Sequence, residues 1–188
     1  YLDQKDGKFS GGAAEQDRLL FWYLQSAMWG RFSGSVESLL DKDMEALAQG
    51  GLDGLIRELR LWRGSLKVQP DHFGGWSLGA RFYPVLYLLT RIGEAKDWGL
   101  GLPLKAHMLG QGSHLEVHHI FPKAQLYKHK HGRAVVNAVA NFCFQTKDTN
   151  LEISDRLPQE YFPKFEDRHP GGLASQWIPM DPDLWKME

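Results

Sequence analysis

The sequence has almost no cysteine and no long apolar run. Cys143 is the only cysteine in 188 residues, which excludes an internal disulfide and a zinc site built from several thiolates. No apolar stretch reaches the roughly 20 residues that a membrane-spanning helix needs. We therefore expect a cytoplasmic protein that does not associate with a membrane.

Acidic residues are missing from one long stretch of an otherwise nearly neutral chain. The net charge is −1 and the pI is near 6.8, which argues against a nonspecific nucleic-acid coat. Residues 117–147 contain no Asp or Glu, yet they include four histidines and the basic residues Lys123, Lys128, Lys130, Arg133 and Lys147. Such a segment suits a surface that faces phosphate, although a solvated basic face would have the same composition.

Apolar residues recur at helical spacing through the N-terminal half. This spacing and the glycines between the segments predict helices over residues 15–29, 33–48, 52–62 and 79–92. The first of these helices is apolar nearly all round, which predicts that it is buried. Residues 1–14 are polar and rich in glycine, so we interpret them as a linker or frayed end. Residues 15–103 are then a helical bundle.

The pattern changes after Gly93. Residues 115–120 and 141–145 each suit a short strand. Residues 150–154 are predicted to form the start of one helix, and Pro158 the start of another. Two strands this short need a packed helix or a bound metal to be stable. We therefore predict an α+β fold, mainly α, in which the bundle is followed by a second domain over 104–188 with an irregular tail.

Two adjacent histidines and a later asparagine suggest phosphodiester hydrolysis. That reaction needs a base to take a proton from water, a cation to neutralise charge on the phosphate, and alignment of both. His118 and His119 lie at the end of the first predicted strand, where one ring could bind a metal and the other could act as the base. Asn150 follows the second strand, so its amide could join them at the strand–helix junction.

These residues also carry a resemblance to a known family. The sequence His-His-Ile-Phe-Pro-Lys at 118–123, Asn141, Lys-Asp-Thr-Asn at 147–150 and Leu-Pro at 157–158 together resemble the ββα-metal, or HNH, nuclease motif. The resemblance implies a nuclease domain with one divalent metal. Mg²⁺ is the expected ion, with Mn²⁺, Ni²⁺ or Zn²⁺ as alternatives, because a double histidine is typical of the colicin-like variant.

The resemblance assigns a role to each matching position. His118 would be a metal ligand and His119 the general base, while Asn141 would brace the hairpin and help set the base. Asn150 would be the last metal ligand. Asp148 stands where some relatives have an acid near the metal, although it could also be a plain surface residue. His114 stands four residues before His118, and we interpret it as incidental.

The N-terminal half has a second resemblance. Leu-Leu-Phe-Trp-Tyr at 19–23 and Gly-Arg-Phe-Ser-Gly-Ser-Val-Glu-Ser at 30–38, with Asp41 and Asp43 after them, are similar to the helical region before the HNH domain of GmrSD-like modification-dependent restriction enzymes and SspE-like anti-phage proteins. Those proteins have an N-terminal nucleotide-hydrolysing sensor domain. The chain begins at Tyr1, so we expect it to be a fragment and that domain to precede it.

The function expected from the sequence is a metal-dependent DNA endonuclease or nickase, the C-terminal effector of a restriction or antiviral defence protein. Its substrate would be double-stranded phage or modified DNA. The residues expected to bind the phosphates that flank the cleaved bond are Lys123, Lys147, Arg156, Lys128 and Lys130. Two alternatives stay open: a catalytically silent module that binds DNA or a partner on the same fold, and a small domain stapled by structural zinc.

Overall fold

The computed structural model describes residues 1–73, 81–104 and 115–187. The chain divides into two compact units, Tyr1–Gln69 and Pro70–Glu188. The described residues are mainly helical with one small sheet, which confirms the predicted α+β, mainly α class. Within these ranges we find no helix whose length and apolar character would let it cross a membrane.

The first unit is built on two helices, α1 (Gly12–Trp29) and α2 (Val36–Arg63). Helix α2 is interrupted at Gly51, where φ is 56° and ψ is −144°, close to the predicted break between two helices. The core consists of Leu47, Leu52 and Leu55 with Tyr1, Leu19 and Trp22 packed against them. Because Tyr1 contacts this core, the first residues are not a free linker.

Helix α1 is less buried than its composition predicts. Leu20, Phe21 and Tyr23 are 52%, 38% and 61% exposed, whereas Ser26 and Met28 are buried. The expectation that this helix is buried all round is wrong, because α2 covers only one stripe of its surface.

A buried ion pair joins the end of α1 to α2. Arg31 Nε and Nη2 donate to the two carboxylate oxygens of Asp43 at 2.9 and 2.7 Å, and its guanidinium lies 5.1 Å from the centre of the Trp62 ring. Arg31 is 1% exposed and Asp43 is 4% exposed. Arg31 Nη2 also lies 3.6 Å from Glu58 Oε1. Removing Arg31 would leave the buried Asp43 carboxylate without a cation, so Arg31 and Asp43 have a structural role.

The second unit contains an antiparallel hairpin of β1 (Leu115–His119) and β2 (Phe142–Thr146), which confirms both predicted strands. Its register pairs His118 with Cys143 and His119 with Phe142. The helices of this unit are α3 (Tyr83–Ile92), α4 (Lys123–Lys128), α5 (Arg133–Val136), α6 (Lys147–Ile153) and α7 (Pro158–Arg168).

The hairpin lies between two groups of helices. Phe144 on one face packs against the rings of Tyr83 and Tyr87 in α3. Cys143 on the other face belongs to a core that includes residues of α6 and α7, among them Ile153 and Tyr161. Since α3 packs on the hairpin, the unit boundary falls between residues 69 and 70 and not at the predicted 103/104.

Candidate active site

The centre of the candidate site is His118, on the face of β1 that points towards α6 and α7. Its side chain is buried, and the residue is 5% exposed. Nδ1 lies 2.6 Å from Oδ1 of Asn150 in α6, and the ring stands edge-on to Tyr161 with 6.3 Å between the ring centres. The structure therefore brings together two of the three residues predicted at the metal, His118 and Asn150, but not Asp148.

Glu116 fixes the orientation of the Asn150 amide. Asn150 Nδ2 donates to Glu116 Oε2 at 2.5 Å, and a carboxylate only accepts hydrogen bonds. The amide oxygen therefore faces His118, whose Nδ1 must carry the proton. The lone pair is left on His118 Nε2, a buried atom with no hydrogen-bond partner among the described residues. An imidazole held this way at one nitrogen is prepared to bind a metal ion at the other.

Glu116 is the site residue that the sequence analysis missed. In the sequence, Glu116 was noted only as the acidic residue before the acid-free stretch 117–147. The alternation of side chains along a strand could have identified it. Glu116 and His118 are two residues apart on a strand, and alternate residues on a strand face the same side. The alternation alone would have placed this carboxylate beside the candidate ligand.

Burial keeps His118 neutral. Desolvation lowers the pKa of His118 below its ordinary value, and the hydrogen bond that His118 donates to Asn150 and the charge of Glu116 oppose this only in part. A neutral imidazole keeps a lone pair for a metal ion.

His119 occupies the opposite face of the hairpin. Its ring stands edge-on to Phe142 with 4.8 Å between centres, and Nε2 is buried without a partner among the described residues. Burial and, to a smaller extent, repulsion from Lys123 lower the pKa of His119 to about 4, even though a hydrogen bond with Asn137 opposes both effects. His119 is therefore neutral at pH 7 and able to accept a proton, but it does not join the group of His118 and Asn150.

Asn141 forms hydrogen bonds with both ends of the segment that connects β1 to β2. Its Oδ1 accepts from the Phe121 backbone N–H at 2.7 Å, and its Nδ2 donates to the Phe121 and Val136 carbonyls at 3.0 and 3.1 Å. From α7, the hydroxyl of Tyr161 donates to the Ile120 carbonyl at 2.8 Å. These bonds hold the chain directly after His119.

Helix α6 begins earlier than predicted, and this changes two assignments. It starts at Lys147, with the hydroxyl of Thr146 accepting from the Thr149 N–H as its cap, so Asn150 lies inside the helix and not at its start. Asp148 is exposed and precedes Asn150 by two residues, which is about 200° around the helix. The structure therefore does not place Asp148 with the candidate ligands.

The basic residues predicted to contact phosphate lie around these elements. Helix α4 begins at Lys123 and ends at Lys128, and Lys130 follows two residues later. Helix α6 begins at Lys147. All four lysines are exposed. None of the ion pairs within the described ranges involves them. Arg156 is half-buried and donates from Nε to the Ile153 carbonyl. His114 lies outside the described residues.

The donor set suits a hard divalent cation better than structural zinc. Nowhere in the described ranges do three or more His, Cys, Asp or Glu side chains gather as a metal site. The cluster here instead combines one imidazole, one carboxylate and one amide, from His118, Glu116 and Asn150. Oxygen donors beside a single imidazole fit Mg²⁺ or Mn²⁺, whereas a structural zinc site needs four ligands.

The buried histidines should make folding sensitive to acid. The pKa of His119 is about 4 in the folded protein and near 6.5 in the unfolded chain, so between these pH values only the unfolded chain binds the proton. The free energy of unfolding should therefore fall as the pH drops from 6.5 towards 4. Replacing His119→Gln should remove a part of that loss on the order of 2 kcal/mol, less than the full shift because the ring is only half-buried.

Urea unfolding at pH 7 and pH 4.5 measures this difference, with the exposed His129→Gln as the matched control. The control should lose as much stability on acidification as the wild type. An equal loss in His119→Gln would mean that His119 is not held neutral by the fold.

Comparison with known proteins adds no family assignment, because no family model matches the chain and no curated protein or solved structure matches it.

Proposed function

We propose that this protein is a metal-dependent endonuclease of the HNH type that nicks or cuts DNA. The observation that carries the proposal is the cluster of His118, Asn150 and Glu116 across β1 and α6. Three further observations support it. The elements follow the order strand, connecting segment, strand, helix. His119 follows His118 in the chain, on the other face of β1, and is neutral. Asn141 bonds to the backbone of the connecting segment.

In the proposed reaction, His119 accepts a proton from water while the water oxygen bonds to phosphorus. The bond from phosphorus to the 3′ oxygen breaks, and that oxygen takes a proton from solvent, which leaves a 3′-hydroxyl and a 5′-phosphate. Because His118 and His119 face opposite sides of β1, the phosphate must approach at the end of the strand. There Asn141 and Tyr161 fix the chain, which reduces the motion needed to align the reactants.

His118 would hold a divalent cation through Nε2, the ring nitrogen that is not bonded to Asn150. Asn150 and Glu116 would add oxygen ligands only if the Asn150 amide turned away from His118 Nδ1. When bound, the cation would stabilise negative charge on the phosphoryl and leaving oxygens. Glu116 orients the amide of Asn150, and Asn150 in turn orients the ring of His118. This chain of hydrogen bonds keeps the His118 Nε2 lone pair available.

Lysines near the base would bind the DNA backbone. Lys123 is close enough to lower the pKa of His119, so it would meet the scissile phosphate or its neighbour. Lys128, Lys130 and Lys147 would contact phosphates further along, since all three are exposed and basic. The proposal extends to a cytoplasmic anti-phage or restriction protein whose nucleotide-hydrolysing sensor domain precedes this chain, which rests on the resemblance of residues 19–23 and 30–38.

One observation favours a second candidate, a catalytically silent DNA-binding module on the same fold. Nε2 of His119 is fully buried, so water reaches it only after a local movement of the chain. A nicking assay separates the two functions.

Removing the base should slow cleavage strongly without weakening DNA binding. His119→Ala should lower the rate of plasmid nicking in Mg²⁺, Mn²⁺ or Ni²⁺ by on the order of 100-fold, the usual contribution of a general base, with unchanged DNA affinity. The exposed His129→Ala is the control and should nick at the wild-type rate. Near-normal nicking by His119→Ala would contradict the base assignment, and no nicking by the wild type with any of the three ions would favour the silent module.

Removing a ligand should raise the metal requirement. His118→Ala and Asn150→Ala should each need at least roughly tenfold more Mn²⁺, with activity partly restored by excess ion. Glu116→Gln keeps an acceptor for the Asn150 amide but removes the charge, so a raised Mn²⁺ requirement in this variant would make Glu116 a ligand and not only an orienting group. Asp148→Asn is the control. A shift in this variant equal to that of Asn150→Ala would contradict the assigned ligands.

The acid-free segment should supply the salt-dependent part of DNA binding. Each lost phosphate contact lowers the slope of log K against log salt by about 0.9, so replacing Lys123, Lys128 and Lys130 with Gln should flatten that slope and weaken binding to all sequences alike. Fluorescence anisotropy over a range of salt concentrations, without divalent ions, measures it. The control replaces Lys42, Arg57 and Arg60 of the first unit. If the control variant shows the larger decrease in the slope of log K against log salt, the first unit makes the main phosphate contacts.

A further inference from the structure

A carboxylate outside the candidate site is completely buried beside the junction of β2 and α6. Asp97 is 0% exposed, and both of its oxygens are used. Oδ2 accepts from the Thr146 N–H at 2.7 Å, while Oδ1 accepts from the Leu100 N–H at 2.8 Å and from the Thr149 hydroxyl. All three donors are neutral groups, so hydrogen bonds alone compensate the loss of hydration.

The hydroxyl that Asp97 binds belongs to the residue directly before Asn150. Thr149 is 1% exposed, and the Thr146 hydroxyl accepts from its backbone N–H at 3.4 Å. The loop after Asp97 packs closely on the same side chain, because a Cβ added at Gly99 would lie 2.5 Å from Thr149 Oγ1. Three contacts therefore hold Thr149 in place: the packing of Gly99 against its side chain, the hydrogen bond from its N–H to Thr146, and the hydrogen bond from its hydroxyl to Asp97.

The position of Thr149 determines where Asn150 points. Successive residues of an α-helix are turned by about 100°, so with Thr149 directed at Asp97 the next side chain is directed at β1, where it meets His118 and Glu116. Helix α6 has only 7 residues. A helix this short has little stability of its own, and its rotation is set by tertiary contacts such as the one to Asp97.

We propose that Asp97 and Thr149 are positioning residues of the candidate site, which fix the rotation of α6 that presents the Asn150 amide to His118 and Glu116. The inference rests on the proposed function and deepens it. Neither residue touches the substrate or the metal. Both act through Asn150, and loss of the Thr149 hydroxyl would let α6 turn away from β1.

The test compares Thr149→Val, which removes the hydroxyl and keeps the shape, with Thr149→Ser, which keeps the hydroxyl. Ile153→Val in α6 is the control for stability, because it loses a buried methyl group from the same helix without touching the hydrogen bonds. Asp97→Asn would set its side-chain NH₂ group against the Thr146 N–H, or against the two donors that Oδ1 now accepts. That variant is prone to misfold, so the Thr149 variants are decisive.

Thr149→Val should weaken Mn²⁺ binding and lower the kcat of nicking by on the order of tenfold, as the loss of an outer hydrogen bond does at metal sites. KM for DNA should not change. Thr149→Ser should restore both values, and Ile153→Val should lower the melting temperature while leaving both values at the wild-type level. Wild-type Mn²⁺ affinity in Thr149→Val, or an equal change in Ile153→Val, would overturn the inference.

A second measurement does not depend on nuclease activity. The side-chain amide resonances of Asn150 and their contacts with the His118 ring can be followed by NMR without metal or DNA. They should shift in Thr149→Val and not in Thr149→Ser or Ile153→Val. If the wild type neither binds Mn²⁺ nor nicks DNA, the proposed function fails, while these resonances still decide the positioning role: no shift in Thr149→Val overturns it.

Discussion

A sheet of two strands leaves backbone groups unpaired along the outer edge of each strand, and buried groups of this kind must find partners. In this protein two side chains complete the outer edge of β2. Gln176 accepts from the Phe144 N–H at 2.9 Å and donates to the Phe144 carbonyl at 2.7 Å, and Asp97 accepts from the Thr146 N–H. Amide and carboxylate groups thus replace a third strand.

The same two side chains connect the hairpin to distant parts of the chain. Gln176 also donates to the Lys96 carbonyl at 2.9 Å, which joins the C-terminal segment to the loop that precedes the hairpin. Asp97 extends from that loop to Thr149 in α6. The hairpin, the loop and α6 are therefore held in one arrangement, and the position of Asn150 relative to His118 follows from it.

The local parts of this arrangement could be predicted from the sequence, and the non-local parts could not. Strand periodicity located β1 and β2, and the glycines located the interruption at Gly51, because these signals lie within a few residues of each other. The start of α6 was misplaced because Asn150 is itself a good cap, while the cap that is used, Thr146, stood four residues earlier.

The contacts of Asp97 and Gln176 had no sequence signal at all. Asp97 and Thr146 are 49 residues apart, and Phe144 and Gln176 are 32 apart, so no spacing rule links them. Glu116 is an intermediate case, because strand alternation was enough to place it beside His118, although the prediction did not use this signal, and only the structure placed Asn150 against both. The faces of α1 were misjudged for a related reason: composition shows that a helix can be buried, but the number of its neighbours decides how much of it is.

Strand alternation also explains how two adjacent histidines could have different tasks in the proposed reaction. If both rings lay on one face, a cation could bind both lone pairs, and no base would be left for water. On β1 the side chain of His118 meets Asn150 on one face, and that of His119 meets Phe142 on the other. One lone pair is then available to a cation and the other to a proton. The separation requires the substrate to approach at the end of the strand, the place that Asn141 and Tyr161 hold fixed. The proposed division between metal ligand and base would therefore follow from the pleat of a single strand.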